Sequence, residues 1–359
     1  MTFSIWLFIA IVLVLLGVLS LAIRFSIRWF WAAILIVFGA LSVTSVFNDN
    51  DLLWGLESFP VNTDSPTGMS LMFTIAYVSM LGSVGIMWFR AFIVREIDDR
   101  SKKIAISLSL ITFIAHVILV GYLSLWDIRA AGNTDATLFS AETWQVDPQS
   151  SSVRAVTCLV LGLPLQHWYA RKDPNVERNR WFVVVGGLIG LGSLTVVGHT
   201  AYQPPTWLSH GMDFLHGVGA ALWFGGLIGL VLFLQYALRN RDDAVEAGRV
   251  LTEFSTWALY SVIMLAFSGV IIAVMVKDDV MNPTESSFAS NLSLKLLVAV
   301  IPIALAAYNR LRLMPQLRED PESPEAWSHL RKSTIVEIVA LLVILVITGN
   351  LVLASPVTT

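Results

Sequence analysis

The chain reads as long apolar blocks separated by short polar ones, at about 3–23, 29–47, 71–94, 104–125, 152–169, 181–198, 211–236, 255–276, 292–311 and 334–354. Most approach the roughly 20 residues that a helix needs to cross a bilayer core. They are too long for barrel strands, and a backbone in hydrocarbon must satisfy its own hydrogen bonds, so each block predicts an α-helix. The expected architecture is an all-α, polytopic transmembrane helix bundle of about ten spans. Six fall in an N-terminal membrane region, 1–197, and four in a second region, 198–359.

Composition narrows what such a bundle can do. Hydrophobic residues make up 56% of the chain and charged residues 14%, against about 25% charged in soluble domains. That surface suits a lipid bilayer and leaves no room for a soluble catalytic domain, so no enzymatic activity is expected. A net charge of -3, with the basic residues held in short connections, gives no footprint for nucleic acid. Cys158 is the single cysteine; it excludes an internal disulfide and a thiolate cluster within one chain. The segment MTFSIWLFIAIVLVLLG lacks a basic leader and a small-residue cleavage site, and is read as a first span.

Charge then sets an expected orientation. With both termini on the outer side, most of the 23 Lys and Arg face inward, as the positive-inside bias requires. Arg129, Arg154, Lys277 and Lys295 remain outside, among acidic outer loops at about 48–70, 126–151 and 277–291.

Candidate chemistry rests on six histidines. His329 lies beside Arg331 and Lys332 in what reads as an inner loop, and His167 at an inner helix end; both suit structural roles. His199, His210 and His216 all approach the outer side around Pro204 and Pro205, in VVGHTAYQPPTWLSHGMDFLHG. Met212 and Asp213 stand four and three residues before His216, so each can share its helix face. His199 and His216 with Met212 or Asp213 are the expected metal ligands, and His210 a further candidate. His116, deep in the fourth block, either packs through a hydrogen bond to a neighbouring helix or serves as an inner relay or a haem ligand, because an intramembrane imidazole needs a partner. Met69 and Met72, at the outer start of the third block, could extend a path for Cu(I), which thioethers suit, although methionines at helical spacing commonly serve packing. Lys295 and Glu337 lie near block ends and can snorkel to the interface. Glycines at 186–192, and Gly217, Gly219, Gly225, Gly226 and Gly229, mark close helix packing.

Several segments, in order, resemble the copper resistance protein D family. They are GHTA at 198–201, HGVGAALWFGGLIGL at 216–230, FSTWAL at 254–259, SGVIIA at 268–273, LSLKLLVAV at 292–300, AAYNRLRLMPQL at 306–317 and LRKSTIVEIVALLVILVITGNLVLASP at 330–356. The resemblance implies a multi-pass protein of the bacterial plasma (inner) membrane that takes part in copper homeostasis, beside a periplasmic or extracellular copper-binding protein. Carried over, it points to His199, His216, Trp223, Gly225, Gly226, Lys295 and Glu337. The expected function is copper transport or homeostasis, with Cu(I) or Cu(II) held at an outer-side, histidine-centred site. Two other readings stay open: a b-type haem electron carrier using axial imidazoles, and a metal-delivery or assembly factor that conducts nothing.

Overall fold

A computed structural model describes residues 65–96, 98–148, 150–169, 177–197, 205–237, 244–275, 287–321 and 323–354. The described helices are α1 (Met69–Trp88), α2 (Asp99–Ala130), α3 (Ser151–Tyr169), α4 (Glu177–Gly192), α5 (Thr206–Ala220), α6 (Gly226–Ala237), α7 (Ala244–Met275), α8 (Ser287–Tyr308), α9 (Met314–Glu319) and α10 (Pro324–Leu351). Three π-helical turns carry helices onward: Phe89–Val94 after α1, Ala221–Gly225 between α5 and α6, and Asn309–Leu313 between α8 and α9.

Six helices among the described residues are long and apolar enough to cross a membrane: Met69–Val94, Asp99–Ala130, Thr206–Gln235, Val245–Met275, Ser287–Glu319 and Pro324–Leu351. This corrects the expectation of about ten spans. The blocks at 3–23 and 29–47 lie outside the described residues. The block at 152–169 does form a helix, which runs on through Pro164, but Arg154, Gln166 and His167 dilute its apolar character. The block at 181–198 gives only the 16 residues of α4 before the chain turns; that is roughly 24 Å, short of the hydrocarbon thickness. Assigning both termini to the outer side depended on ten alternating crossings, and it falls with that count.

Helix ends also moved outward from the apolar blocks, because amphipathic turns extend them past the hydrocarbon. Helix α10 already starts at Pro324, ten residues before its apolar block at 334, with the Ser323 side chain capping Ala326 N–H. Pro at a first helical turn loses no hydrogen bond there, and the serine satisfies one of the orphan amides. Asp98 caps α2 in the same way, through Ser101 N–H, and pairs with Arg90.

At the centre stands α1, because small residues let other helices reach its backbone. A Cβ on Gly85 would strike the Ala221 carbonyl and stand 2.5 Å from Gly225 Cα, and one on Gly225 would stand 2.6 Å from Gly85 Cα. On another side, Trp88 lies over Gly187 of α4 and donates from Nε1 to Val183 O at 3.2 Å. A third contact sets Thr74 and Ser70 against Gly349 of α10. Helix α3 meets α4 with the same economy, Gly162 facing Gly186 and Gly190. In lipid there is no hydrophobic drive between helices, so such close backbone approach and its dispersion contacts hold the bundle. By contrast α7 and α8 turn Val270, Val274, Leu296, Leu297 and Val300 outward, as lipid-facing helices do.

The Gly85 to Gly225 contact yields a stability prediction. Gly85→Ala should lower the thermal midpoint of detergent-solubilised protein, at a cost of about 1–3 kcal/mol for overpacking. At Gly217 a Cβ meets nothing within 4 Å, so Gly217→Ala should leave the midpoint unchanged or raise it through better helix propensity. Equal losses in the two variants would remove the central role given to the crossing.

Candidate functional site

Pro205 stands at the N-terminus of α5, and the helix carries the expected ligands to different neighbours. His210 is buried, with Nδ1 3.2 Å from Thr195 O in the turn after α4. Met212 is fully buried, while Asp213 and His216 are half-buried. The His216 ring lies against α7: Nδ1 is 3.0 Å from Ser268 Oγ, and the ring covers Gly269, where a Cβ would stand 3.4 Å from its Cε1. His210 and His216 therefore serve different helix contacts, and His199 lies outside the described residues. No group of three or more His, Cys, Asp or Glu able to hold a metal ion occurs among the described residues.

The hydrogen-bond network assigns the His216 tautomer. Ser268 Oγ lies 2.6 Å from Met264 O, one turn back on its own helix, and its single proton goes there. The hydroxyl must then accept from His216, so Nδ1 carries the hydrogen and Nε2 keeps its lone pair. Around this ring, Lys295 of α8 acts electrostatically on His216, and Asp213 acts on both Lys295 and Tyr77. Lys295 and Asp213 thus belong to one neighbourhood with His216.

A second polar group lies where the π-helical turns Ala221–Gly225 and Asn309–Leu313 meet α10. Glu337 is 2% exposed. It accepts from Trp223 Nε1 at 2.6 Å and, at a longer 3.3 Å, from Asn309 Nδ2. Snorkelling was expected of this side chain, but it is enclosed instead, because α10 begins earlier than its apolar block and Glu337 sits thirteen residues after Pro324 and fourteen before Leu351, at the middle of the helix. The two glycines after Trp223 have packing roles: Gly225 meets Gly85, and Gly226 lies under the Phe254 ring, where a Cβ would come to 2.7 Å.

The α1 to α3 side holds a ladder of hydroxyls. Thr112 Oγ1 donates to Ser79 Oγ at 2.8 Å. One turn away, Ser109 Oγ lies 2.7 Å from both Ser83 Oγ and His167 Nε2, and Gln166 Nε2 donates to Ser83 Oγ at 3.2 Å. Gln166 Oε1, His167 Nδ1 and Ser193 Oγ are buried without hydrogen-bond partners among the described residues. His116 is buried with Nδ1 2.9 Å from Thr112 O, beside a cavity of about 20 Å³ also lined by Tyr77, Ser152 and Ser193. That space holds one water, not a porphyrin. Of the methionines, Met69 is fully buried and Met72 half-buried. Met80 and Met87 are fully buried in the core, Met80 with its methyl against Gly190, as packing residues are.

Asn309, Ser268 and the ladder were not anticipated from sequence. Each is a polar residue inside an apolar run, which is a readable signal, but the partner across the helix interface is not. His329, expected in a loop, is exposed on the first turns of α10.

Residues 248–351 match the copper resistance protein D family. A stretch of 121 residues is 30% identical to the copper transport protein CutJ of Bacillus subtilis (strain 168), covering 34% of this chain and 22% of that protein. A stretch of 115 residues is 31% identical to the inner membrane protein YebZ of Escherichia coli (strain K12), covering 32% of this chain and 38% of the relative. The matched stretches thus span well under half the length of either relative. No solved structure matches the chain. The matched span supplies Ser268, Lys295, Asn309 and Glu337, whereas His216 and Trp223 come from the helices packed against it. With six long apolar helices among its described residues, the chain is a multi-pass protein of the bacterial inner membrane whose residues 248–351 match the copper resistance protein D family.

Proposed function

We propose that this protein handles copper in the inner membrane, as a transporter or a homeostasis factor, with His216 as a ligand to the ion. The observation that carries this reading is the fixed ring of His216. Ser268, inside the family-matched span, holds Nδ1 and leaves the Nε2 lone pair for a metal. Metal-binding imidazoles are commonly oriented in this way by a partner on the other ring nitrogen. Met212 and Asp213 stand one turn before His216 on α5, and His199 a few residues before that helix. A soft thioether and imidazoles suit Cu(I), whereas the carboxylate suits Cu(II). The water-sized cavity beside His116 gives the haem reading no support.

Replacing His216 with Ala should lower bound copper per protein and the rate of copper entry into proteoliposomes, more than replacing His329 with Ala. Both variants lose one imidazole, but His329 is exposed near Arg331 and Lys332. Wild-type binding and flux in the His216 variant would refute the site. Lost binding with unchanged flux would make it a regulatory or assembly site.

Ser268→Ala tests the orientation argument separately. It leaves every ligand in place and frees the ring, so copper affinity should fall about 10-fold or more. Isothermal titration of the purified protein with copper in a competing chelator measures this. An unchanged affinity would mean that Ser268 merely packs.

A further inference from the structure

We propose that Glu337 exchanges a proton as the protein moves copper, and so couples that movement to a proton gradient. The cargo rests on the function proposed above; the proton rests on the surroundings of this one carboxyl.

Glu337 is enclosed by three helical segments, and both of its hydrogen-bond donors, the Trp223 indole and the Asn309 amide, are neutral. Among the described residues it forms no ion pair. The cations of the neighbouring helices are committed elsewhere or point outward. Arg310 donates to Ser255 O and Oγ, Arg90 pairs with Asp98, and Lys295 is drawn to Asp213. Arg312, Arg318, Arg331 and Lys332 are exposed, as are Glu319, Glu325 and His329, and Tyr77 of α1 lies in the field of Asp213. A carboxylate enclosed in a membrane protein without a counter-charge is costly, and intramembrane carboxyls accordingly mark proton relays.

A second deficit points the same way. Asn309 Oδ1 is buried without a hydrogen-bond partner among the described residues. Beside it stands a carboxylate with acceptors to spare. One proton on Glu337 removes the uncompensated charge, and once the amide turns over it gives Asn309 Oδ1 a donor in exchange for the present Nδ2 bond; which amide atom faces the carboxyl is set by the hydrogen-bond network rather than by atom identity.

The third observation concerns movement. Trp223 and Asn309 both stand on π-helical turns, Ala221–Gly225 and Asn309–Leu313. Such turns loosen the regular ladder and recur at functional sites. Both donors can therefore shift while their helices persist, admitting water to the carboxyl. The proton is taken from water on one side as the site closes and returned to water on the other as it opens; only the Glu337 O–H bond forms and breaks.

The test uses the full-length wild-type chain with Glu337→Gln and Trp223→Phe in nanodiscs and proteoliposomes. Glutamine keeps the shape and both hydrogen-bonding functions of the neutral carboxyl, so Glu337→Gln should fold with an unchanged thermal midpoint. Infrared difference spectra should show a protonated-carboxyl band in wild type that shifts in deuterated water, moves in Trp223→Phe and disappears in Glu337→Gln. Copper flux should respond several-fold to an imposed pH gradient in wild type and not at all in Glu337→Gln. If the band survives in Glu337→Gln or is absent from wild type, the proton is not on Glu337 and the proposal is wrong. It is equally wrong if Glu337→Gln keeps the gradient response, or if wild-type copper flux ignores the gradient. A wild type that carries the band but moves no copper sinks the coupling step together with the transport reading, and leaves the infrared arm to report the proton on its own.

Discussion

The arrangement hangs on one close contact, the backbone of α1 against the turn between α5 and α6 at Gly85 and Gly225. A single methyl on either residue would run into the other's main chain. Because nothing intervenes, Ala221–Gly225 is pressed onto α1 at the point where its helix adopts the wider π-helical winding. Trp223 lies within that turn, and its indole reaches across to Glu337. The buried carboxyl is thus held by a side chain whose position follows from two missing ones.

The same contact separates two polar regions of different character. On one side, α1, α2 and α3 share neutral hydroxyls and imidazoles. On the other, α5 packs on α7 while Trp223, on the turn after α5, reaches α10, and the groups there are chargeable: Asp213, Lys295, His216 and Glu337. Neutral hydroxyls hold helices together at modest cost in lipid. Chargeable groups are expensive in the same medium and persist where something is bound or moved. The family-matched span contributes to the second region alone among these two, which agrees with the division by chemistry.

His216 and Glu337 are joined through α5 and its continuation rather than by direct contact. One lies before the π-helical turn and the other binds the residue within it. A change in winding between 221 and 225 would alter both the pitch of the His216 ring on Ser268 and the Trp223 bond. The π-helical turn thus links the two residues mechanically.

Sequence by itself determined that the chain is a helical membrane protein, because no other structure lets so apolar a backbone satisfy its hydrogen bonds. It also marked Trp223, Gly225, Lys295 and Glu337, whose neighbours in the chain carry the family resemblance. Span number was not legible from the order of apolar blocks, since a block does not tell that the helix of α3 gathers Arg154, Gln166 and His167 along its length, or that α4 ends after 16 residues. Partners were not legible either. Helical period tells which residues of one helix share a face, but the residue opposite depends on crossing points and depths, and those are set by where glycines admit a neighbouring backbone. Only the tertiary structure could therefore turn His216 toward Ser268, part it from His210, and enclose Glu337 between Trp223 and Asn309.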